Sequence, residues 1–484
     1  MQRRVITAVV AIAVVIGALS LFFIFYPTEK RITIVSINDL HGALLTEDKG
    51  GIVQIAGYVE ELRKQNPNTI VIDVGDAFQG RPISNLFYGE SVIECYNAMG
   101  VDCLAVGNHE FDWGVDVLKD LMDGADFPFL SANVVYDDLF EPYIIKNVDG
   151  VNIQIIGLTT ELTPGITEKK RIEGFQFTDA GEAIKNNYNE SCDVVVIAGH
   201  MGAEDESSEG FIALKASGVT ADIFLGGHTH EGANWRYDNC TFMEAYAYGT
   251  AIGVVNLTMD RNSEIVDVSS EVINVTPDYE SETVSDIVNE YYSMVEGEME
   301  RVIAYSPSQL RRNSDGESAL GNWVCDIMRQ AFDADVALTN SGGIRADLEP
   351  GDVTVGDVFS IMPFDNTVAL VELTGSQLRE ALEIGIATDE SGELLHGIVQ
   401  VSGLNFTYDD EVMDVYVEGR PLKNDEKYLV ATNSFMAGGG DGYYIFEEGN
   451  NLIDTGVLVR DLLLQYAESS GKIEARVEGR IRMI

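Results

Sequence analysis

Five of the chain's six histidines stand in short polar, glycine-bearing clusters, and each cluster follows a brief apolar run. The clusters are Asn38-Asp39-Leu40-His41-Gly42, Gly107-Asn108-His109-Glu110, Gly199-His200 and Gly226-Gly227-His228-Thr229-His230, joined by Gly75-Asp76. Aspartate, histidine and asparagine without a thiolate form a donor set that suits Zn²⁺, Mn²⁺, Fe or Co²⁺ better than Ca²⁺. In Asp39-x-His41 and His228-x-His230, residues two apart share a face of an extended segment and can reach one ion. Asp76 has two oxygens and can bridge a pair. Two metals roughly 3.5–4 Å apart clamp the attacking and leaving oxygens of phosphoryl transfer. Singly, each residue has a plain alternative: His200 as a loop start, Asp76 as a turn former, Asn108 as an Asx-turn. Five histidines of six at strand ends favour the metal.

The apolar runs that precede these clusters read as strands: Ile32–Ile37, Thr69–Val74, Cys103–Val106, Val194–Ala198 and Ile223–Leu225, with Val151–Leu158 among them. Amphipathic stretches such as Ile52–Lys64 and Val115–Met122 alternate with them, which predicts a layered α/β unit over 30–275. A ligand at the end of such a strand lies in the crevice beyond the sheet's carboxyl edge, where open α/β sheets bind ligands. Val284, Ile287, Val288, Tyr291, Val295 and Met299 recur at helical spacing, so 281–300 reads as one helix within a connection over 276–301. A second α/β unit is expected over 302–484. Its helices are placed at Leu320–Phe332, Ser376–Ile386 and Gly456–Ala467, its strands at Val336–Leu338, Val368–Leu373, Val412–Val417 and Tyr428–Thr432.

The 79 acidic and 31 basic residues give a formal charge of −48. Such a surface repels nucleic acid, which excludes nucleic-acid binding. With 45% hydrophobic residues the chain is not a disordered acidic tail; the acid is a solvated coat on folded units. Residues 1–29 carry the one membrane signal. Val5 to Tyr26 holds no charge, and 22 helical residues span roughly 33 Å, a bilayer core. With Arg3 and Arg4 before it, this segment reads as an uncleaved anchor that leaves the rest outside the cytoplasm. The five scattered cysteines give no framework, and Cys95–Cys103 or Cys192–Cys240 pairing stays open.

The order DxH, GD, GNHE, GH, GHTH over residues 30–260 resembles the calcineurin-like metallophosphoesterases, and specifically the exported 5′-nucleotidases. The resemblance implies a four-layer β-sandwich flanked by helices, followed by a smaller C-terminal α/β substrate-binding domain. It implies one metal on Asp39, His41, Asp76 and His230, and a second on Asp76, Asn108, His200 and His228. It also implies that His109, oriented by Asp112, stabilises charge on the phosphoryl oxygens. In the second half, Glu317-Ser-Ala-Leu-Gly321-Asn322, Asn340-Ser-Gly-Gly-Ile-Arg345, Pro363-Phe364 and Asn433-Ser-Phe435-Met-Ala-Gly-Gly-Gly-Asp441-Gly are similar to the family's C-terminal signatures. By that likeness Phe364 and Phe435 sandwich a base, Asp441 holds the ribose hydroxyls, Asn340 touches base or sugar and Arg345 meets the phosphate. Arg311 or Arg312 adds a second cation, with the choice between them open. His396 is read as an ordinary loop residue.

The expected function is hydrolysis of 5′-nucleotides to nucleoside and phosphate outside the cytoplasm, with two divalent ions, Zn²⁺ or Mn²⁺. The same centre could attack a 2′,3′-cyclic nucleotide or a UDP-sugar. A non-catalytic binder of nucleoside or metal is the rival of another class, and the complete ligand set argues against it.

Overall fold

The computed structural model describes residues 29–44, 50–167, 169–389, 392 and 394–484. The anchor segment lies outside these residues. Among the described residues no helix is long and apolar enough to cross a membrane.

Two six-stranded sheets form the first unit. In one, Lys30–Ile37, Thr69–Asp73, Cys103–Ala105 and Phe129–Leu130 run parallel, and Ala251–Met259 flanks Lys30–Ile37 antiparallel. In the other, Val151–Thr159, Val194–His200, Ile223–Leu225 and Cys240–Ala245 run parallel. Alternate residues explain the layering. Ile32 and Ile34 face the other sheet's Ile153, Ile155, Val194 and Val196, whereas Val35 and Ile37 pack outward with Ile52, Ile55 and Val59 of the helix Ile52–Gln65. On the far side, Ile156, Val195, Ile197 and Phe224 pack with the helices Ala180–Asn187 and Glu209–Ser217. Strands covered on both faces must be apolar on both, which is why these runs are nearly continuous. The result is helix, sheet, sheet, helix.

The second half holds a five-stranded mixed sheet in the order Gln400–Ser402, Val336–Thr339, Lys427–Asn433, Thr367–Thr374 and Asn450–Leu458. The helices Ala319–Ala331 and Val459–Ser470 share one core on this sheet, and Gly375–Ile384 packs in another. The helix Glu282–Met299 is not a free connector. Val284 and Val288 lie in the first unit's core and Met299 in the second's, while Tyr291 meets the Phe87 ring at 4.8 Å.

One expectation needs correction, and the open question of cysteine pairing has an answer. Residues 456–458 are strand, and the helix expected from Gly456 begins at Val459. Gly456 has φ +70°, a left-handed conformation no helix accepts, and its N–H is held by Asp454 Oδ1 at 3.0 Å. All five cysteines are unpaired. Cys95 packs in the outer helical core and Cys103 in the core between the sheets, so the sheet itself separates them. Cys240 is buried with Phe242, and Cys192 is only partly covered.

Candidate active site

The carboxyl ends of the parallel strands from both sheets meet at one edge. Asp39 and His41 follow Lys30–Ile37, Asp76 follows Thr69–Asp73, and Asn108 follows Cys103–Ala105. His200 ends Val194–His200, and His228 and His230 follow Ile223–Leu225. Asp39, His41, Asp76, His228 and His230 all take positive φ, from 48° to 81°. Left-handed backbone at a non-glycine costs on the order of 1 kcal/mol or more and persists only where the surroundings impose it.

The side chains converge in two groups that could each hold a metal: Asp39, His41 and His230, and Asp76, His200 and His228. His41 Nδ1 donates to the Gln79 carbonyl and His200 Nδ1 to the Val74 carbonyl, both at 2.8 Å, which turns each Nε2 toward the cluster. His41 Nε2 lies 3.1 Å from His230 Nε2, and His230 Nε2 lies 3.4 Å from Asp39 Oδ1. His200 Nε2 is 3.0 Å from Asp76 Oδ2 but lacks hydrogen-bond alignment with it, and Asn108 Oδ1 is buried without a partner. Electron pairs converging from buried nitrogen and oxygen atoms are what a divalent cation requires, so these residues fit one.

Electrostatics agree. Burial opposes charge on His200, but the Asp76, Asp39 and Glu110 carboxylates outweigh it and push its pKa up to about 10. A field that draws a proton there draws a cation too. Burial holds His41 well below its ordinary value and His228 down at about 4, leaving neutral donor rings. His109 Nδ1 donates to Asp112 Oδ2 at 2.7 Å. Burial works against its charged form, yet Asp112 and Asp76 raise it to about 9.

Residues without an expected role hold this edge together. Glu110 accepts from the N–H groups of Gly107 at 2.6 Å and of Asp76 and Ala77 at 2.8 Å, tying the two ligand loops to one carboxylate. Asn38 donates to Asp39 Oδ2 at 2.8 Å and accepts from Ala245 N at 3.0 Å. Both stand inside the sequence clusters, Asn38 beside a ligand and Glu110 two residues after one, and that position is the only signal they give.

A cavity of about 280 Å³ opens above the edge. Asp76, Asn108, His109, Asp112, His228 and His230 line one wall; Asn340, Arg345, Phe364, Phe435 and Asp441 line the other. Asp39, His41 and His200 lie buried behind. The walls touch: Phe364 stacks on His109 at 5.7 Å, and Arg345 Nη2 donates to Tyr248 Oη at 3.0 Å. Buried Arg460 fixes the Phe364 turn, donating to Asp365 Oδ1 at 2.6 Å and to the Pro363 carbonyl at 3.1 Å. Asn340 Nδ2 donates to Asp441 Oδ2 at 2.9 Å, and burial raises the Asp441 pKa. Of the two arginines left open, Arg312 lines a smaller cavity with His41, Arg81, Tyr248 and Arg345, whereas Arg311 is bonded to Gln309 at 2.8 Å. His396 stands in a loop, as expected. It lines the main cavity, its Nδ1 3.7 Å from Asp441 Oδ1.

Residues 32–232 match the model of the calcineurin-like phosphoesterases, and residues 296–448 match that of the 5′-nucleotidase C-terminal domain. The chain thus carries a match to each of these two domains, one after the other. The trifunctional nucleotide phosphoesterase protein YfkN of Bacillus subtilis is 28% identical over 525 residues, covering 94% of this chain. The chain spans only 35% of that relative's length. Snake venom 5′-nucleotidase of Crotalus adamanteus is 28% identical, with 93% of this chain and 88% of that one covered. The crystal structure of a 5′-nucleotidase precursor from Thermus thermophilus superposes with a TM-score of 0.83 at 28% identity, covering 94% of this chain and 99% of the other. The two matched domains thus correspond to the two walls of the cavity.

Proposed function

We propose that this protein removes the phosphate from 5′-nucleotides, releasing nucleoside and phosphate. One observation carries the reading: the two metal-type groups and the wall bearing Phe364, Phe435, Asn340 and Asp441 face each other across one cavity. In this reading the unit 30–275 performs the chemistry, the unit 302–484 selects the nucleoside, and 276–301 connects them. Zn²⁺ or Mn²⁺ fits the mixed nitrogen and oxygen donors, with Asp39, His41, Asp76 and His230 at one ion and Asp76, Asn108, His200 and His228 at the other. Bound there, such ions supply Lewis-acid polarisation and an activated water.

The chain's own residues do the rest. His109, kept protonated by Asp112, meets the phosphoryl oxygens as negative charge grows on them. Arg345 adds a second cation on the opposite side. The phenyl faces of Phe364 and Phe435 take the base, and Asp441 accepts from the sugar. An anchor at residues 5–26 would hold all of this outside the cytoplasm.

The test is phosphate release by the purified full chain from nucleotides, cyclic nucleotides, UDP-sugars and phenyl phosphate, with Mn²⁺ or Zn²⁺ added. Preference for 5′-nucleotides is expected. Turnover of phenyl phosphate equal to that of every nucleotide would sink the nucleoside-binding role of the second wall.

A further inference from the structure

His396 is the one histidine away from the ligand edge, and its loop is pinned on both sides. Leu395 N donates to the Ala387 carbonyl at 2.9 Å and Ile398 N to the Ser314 carbonyl at 2.7 Å. Between them Gly397 has φ +68°, and a Cβ there would come within 2.4 Å of Ser341 Oγ. The backbone is therefore held where the imidazole lines the cavity beside Asp441.

Asp441 itself has one oxygen committed. Its Oδ2 accepts from Asn340 Nδ2, and Asn340 Oδ1 in turn accepts from Asn433 Nδ2 at 3.0 Å. The other oxygen, Oδ1, faces His396 Nδ1 at 3.7 Å, too far for a hydrogen bond. An acceptor-only oxygen and an imidazole nitrogen at that separation leave each free to bond a hydroxyl. A vicinal diol offers two hydroxyls side by side.

We propose that His396 and Asp441 clamp the two ribose hydroxyls, Asp441 Oδ1 accepting from one and His396 Nδ1 bonding the other, so that the site selects ribonucleotides over deoxyribonucleotides. The inference rests on the 5′-nucleotide reading above. A lone carboxylate would accept from either hydroxyl and tolerate the loss of one. A paired site cannot, because removing either hydroxyl leaves a polar partner unmatched.

The experiment compares AMP, 2′-deoxy-AMP, 3′-deoxy-AMP and phenyl phosphate with the Mn²⁺-loaded full chain, its His396→Ala variant and its His396→Asn variant. The wild type should prefer AMP over each deoxy analogue by about tenfold or more in kcat/KM. His396→Ala should bring that ratio within about threefold, raising KM for AMP rather than lowering kcat, and His396→Asn should restore part of it. Partial unfolding moves none of these ratios, because both substrates meet the same folded fraction. A ratio unchanged in His396→Ala, or no discrimination by the wild type, overturns the clamp alone. Cleavage of phenyl phosphate with no cleavage of any nucleotide overturns the nucleotide reading and the clamp with it.

Discussion

On the phosphoesterase side of the cavity, five ligand-type residues sit on left-handed backbone, and Glu110, Asn38 and two main-chain carbonyls hold Asp76, Asp39, His41 and His200 in place. On the opposite wall Phe364 and Phe435 project from short turns, and Asp441 alone among the residues expected there has a positive φ. The first wall is over-determined, with hydrogen bonds holding the groups that must meet an ion within a few tenths of an ångström. The second is a set of surfaces, tolerant of a base that can slide and still be stacked. Rigidity follows the chemistry that needs it. Removing a group from the first wall should therefore abolish turnover, whereas removing one from the second should weaken recognition by a bounded amount.

The largest effect is expected at Asp76, which stands in one metal-type group and is proposed to reach the ion of the other as well. Asp76→Ala should lower phosphate release by at least about a thousandfold, some 4 kcal/mol of barrier. Chelation of the wild type should do the same, with Mn²⁺ or Zn²⁺ restoring activity to the wild type only. Retained activity in the variant would erase the distinction between the walls. Next comes Glu110, which touches no substrate. Gln keeps only one of the two acceptor oxygens, which strands at least one of the three N–H donors and should let the ligand loops drift, so Glu110→Gln should cost about 10–100-fold in metal affinity or rate and lower Tm. A variant with wild-type metal affinity would show that the edge does not need this support.

Asp112→Asn tests how the first wall is tuned. Its carboxylate helps hold the His109 pKa up at about 9, so the protonated ring persists through neutral pH and is lost as pH rises through that value. With the carboxylate gone the proton leaves sooner. The alkaline limb of the kcat/KM profile should move to lower pH in the variant, with the metal ligands unchanged. An alkaline limb that stays in place would remove His109 protonation from the account.

How much of this was legible in the sequence divides along the same line. The ligand edge was readable because Asp39, His41, His200, His228 and His230 are chemically loud and stand at strand ends, where nearly continuous apolar runs stop. Glu110 and Asn38 in the same clusters were not, since an acid or amide near a ligand gives no sign of which backbone it will hold. Phe364 and Phe435 carry no signal of their own, because a cavity aromatic and a core aromatic are the same residue. Only the surrounding motifs set them apart, and His396 lacked even that. The helix start at Val459 was missed because Gly456 fits an apolar period while its backbone is left-handed.

Phe435→Ala sharpens the second wall. A stacked base is worth roughly 1–3 kcal/mol, so KM for a nucleotide should rise about 5–150-fold relative to phenyl phosphate, with a smaller change in kcat. A collapse of kcat for both substrates would mean that this wall, too, positions the reacting atoms.

The smallest effect concerns neither wall but the −48 coat around them. A nucleotide is an anion, and among the described cavity residues Arg81, Arg312, Arg345 and Arg171 offset the surface field as it approaches. At about 0.01 M salt the screening length is about 30 Å, long enough for distant carboxylates to repel it, and near 0.15 M it is about 8 Å. Raising salt across that range should increase kcat/KM for nucleotides a few-fold while kcat stays nearly constant, since the bound substrate already sits against the site's own cations. Screening acts in the opposite sense on the local arginines. A kcat/KM that falls with salt would show that this local field, and not the coat, governs capture, which would extend the over-determined electrostatics of the first wall to the whole mouth of the cavity.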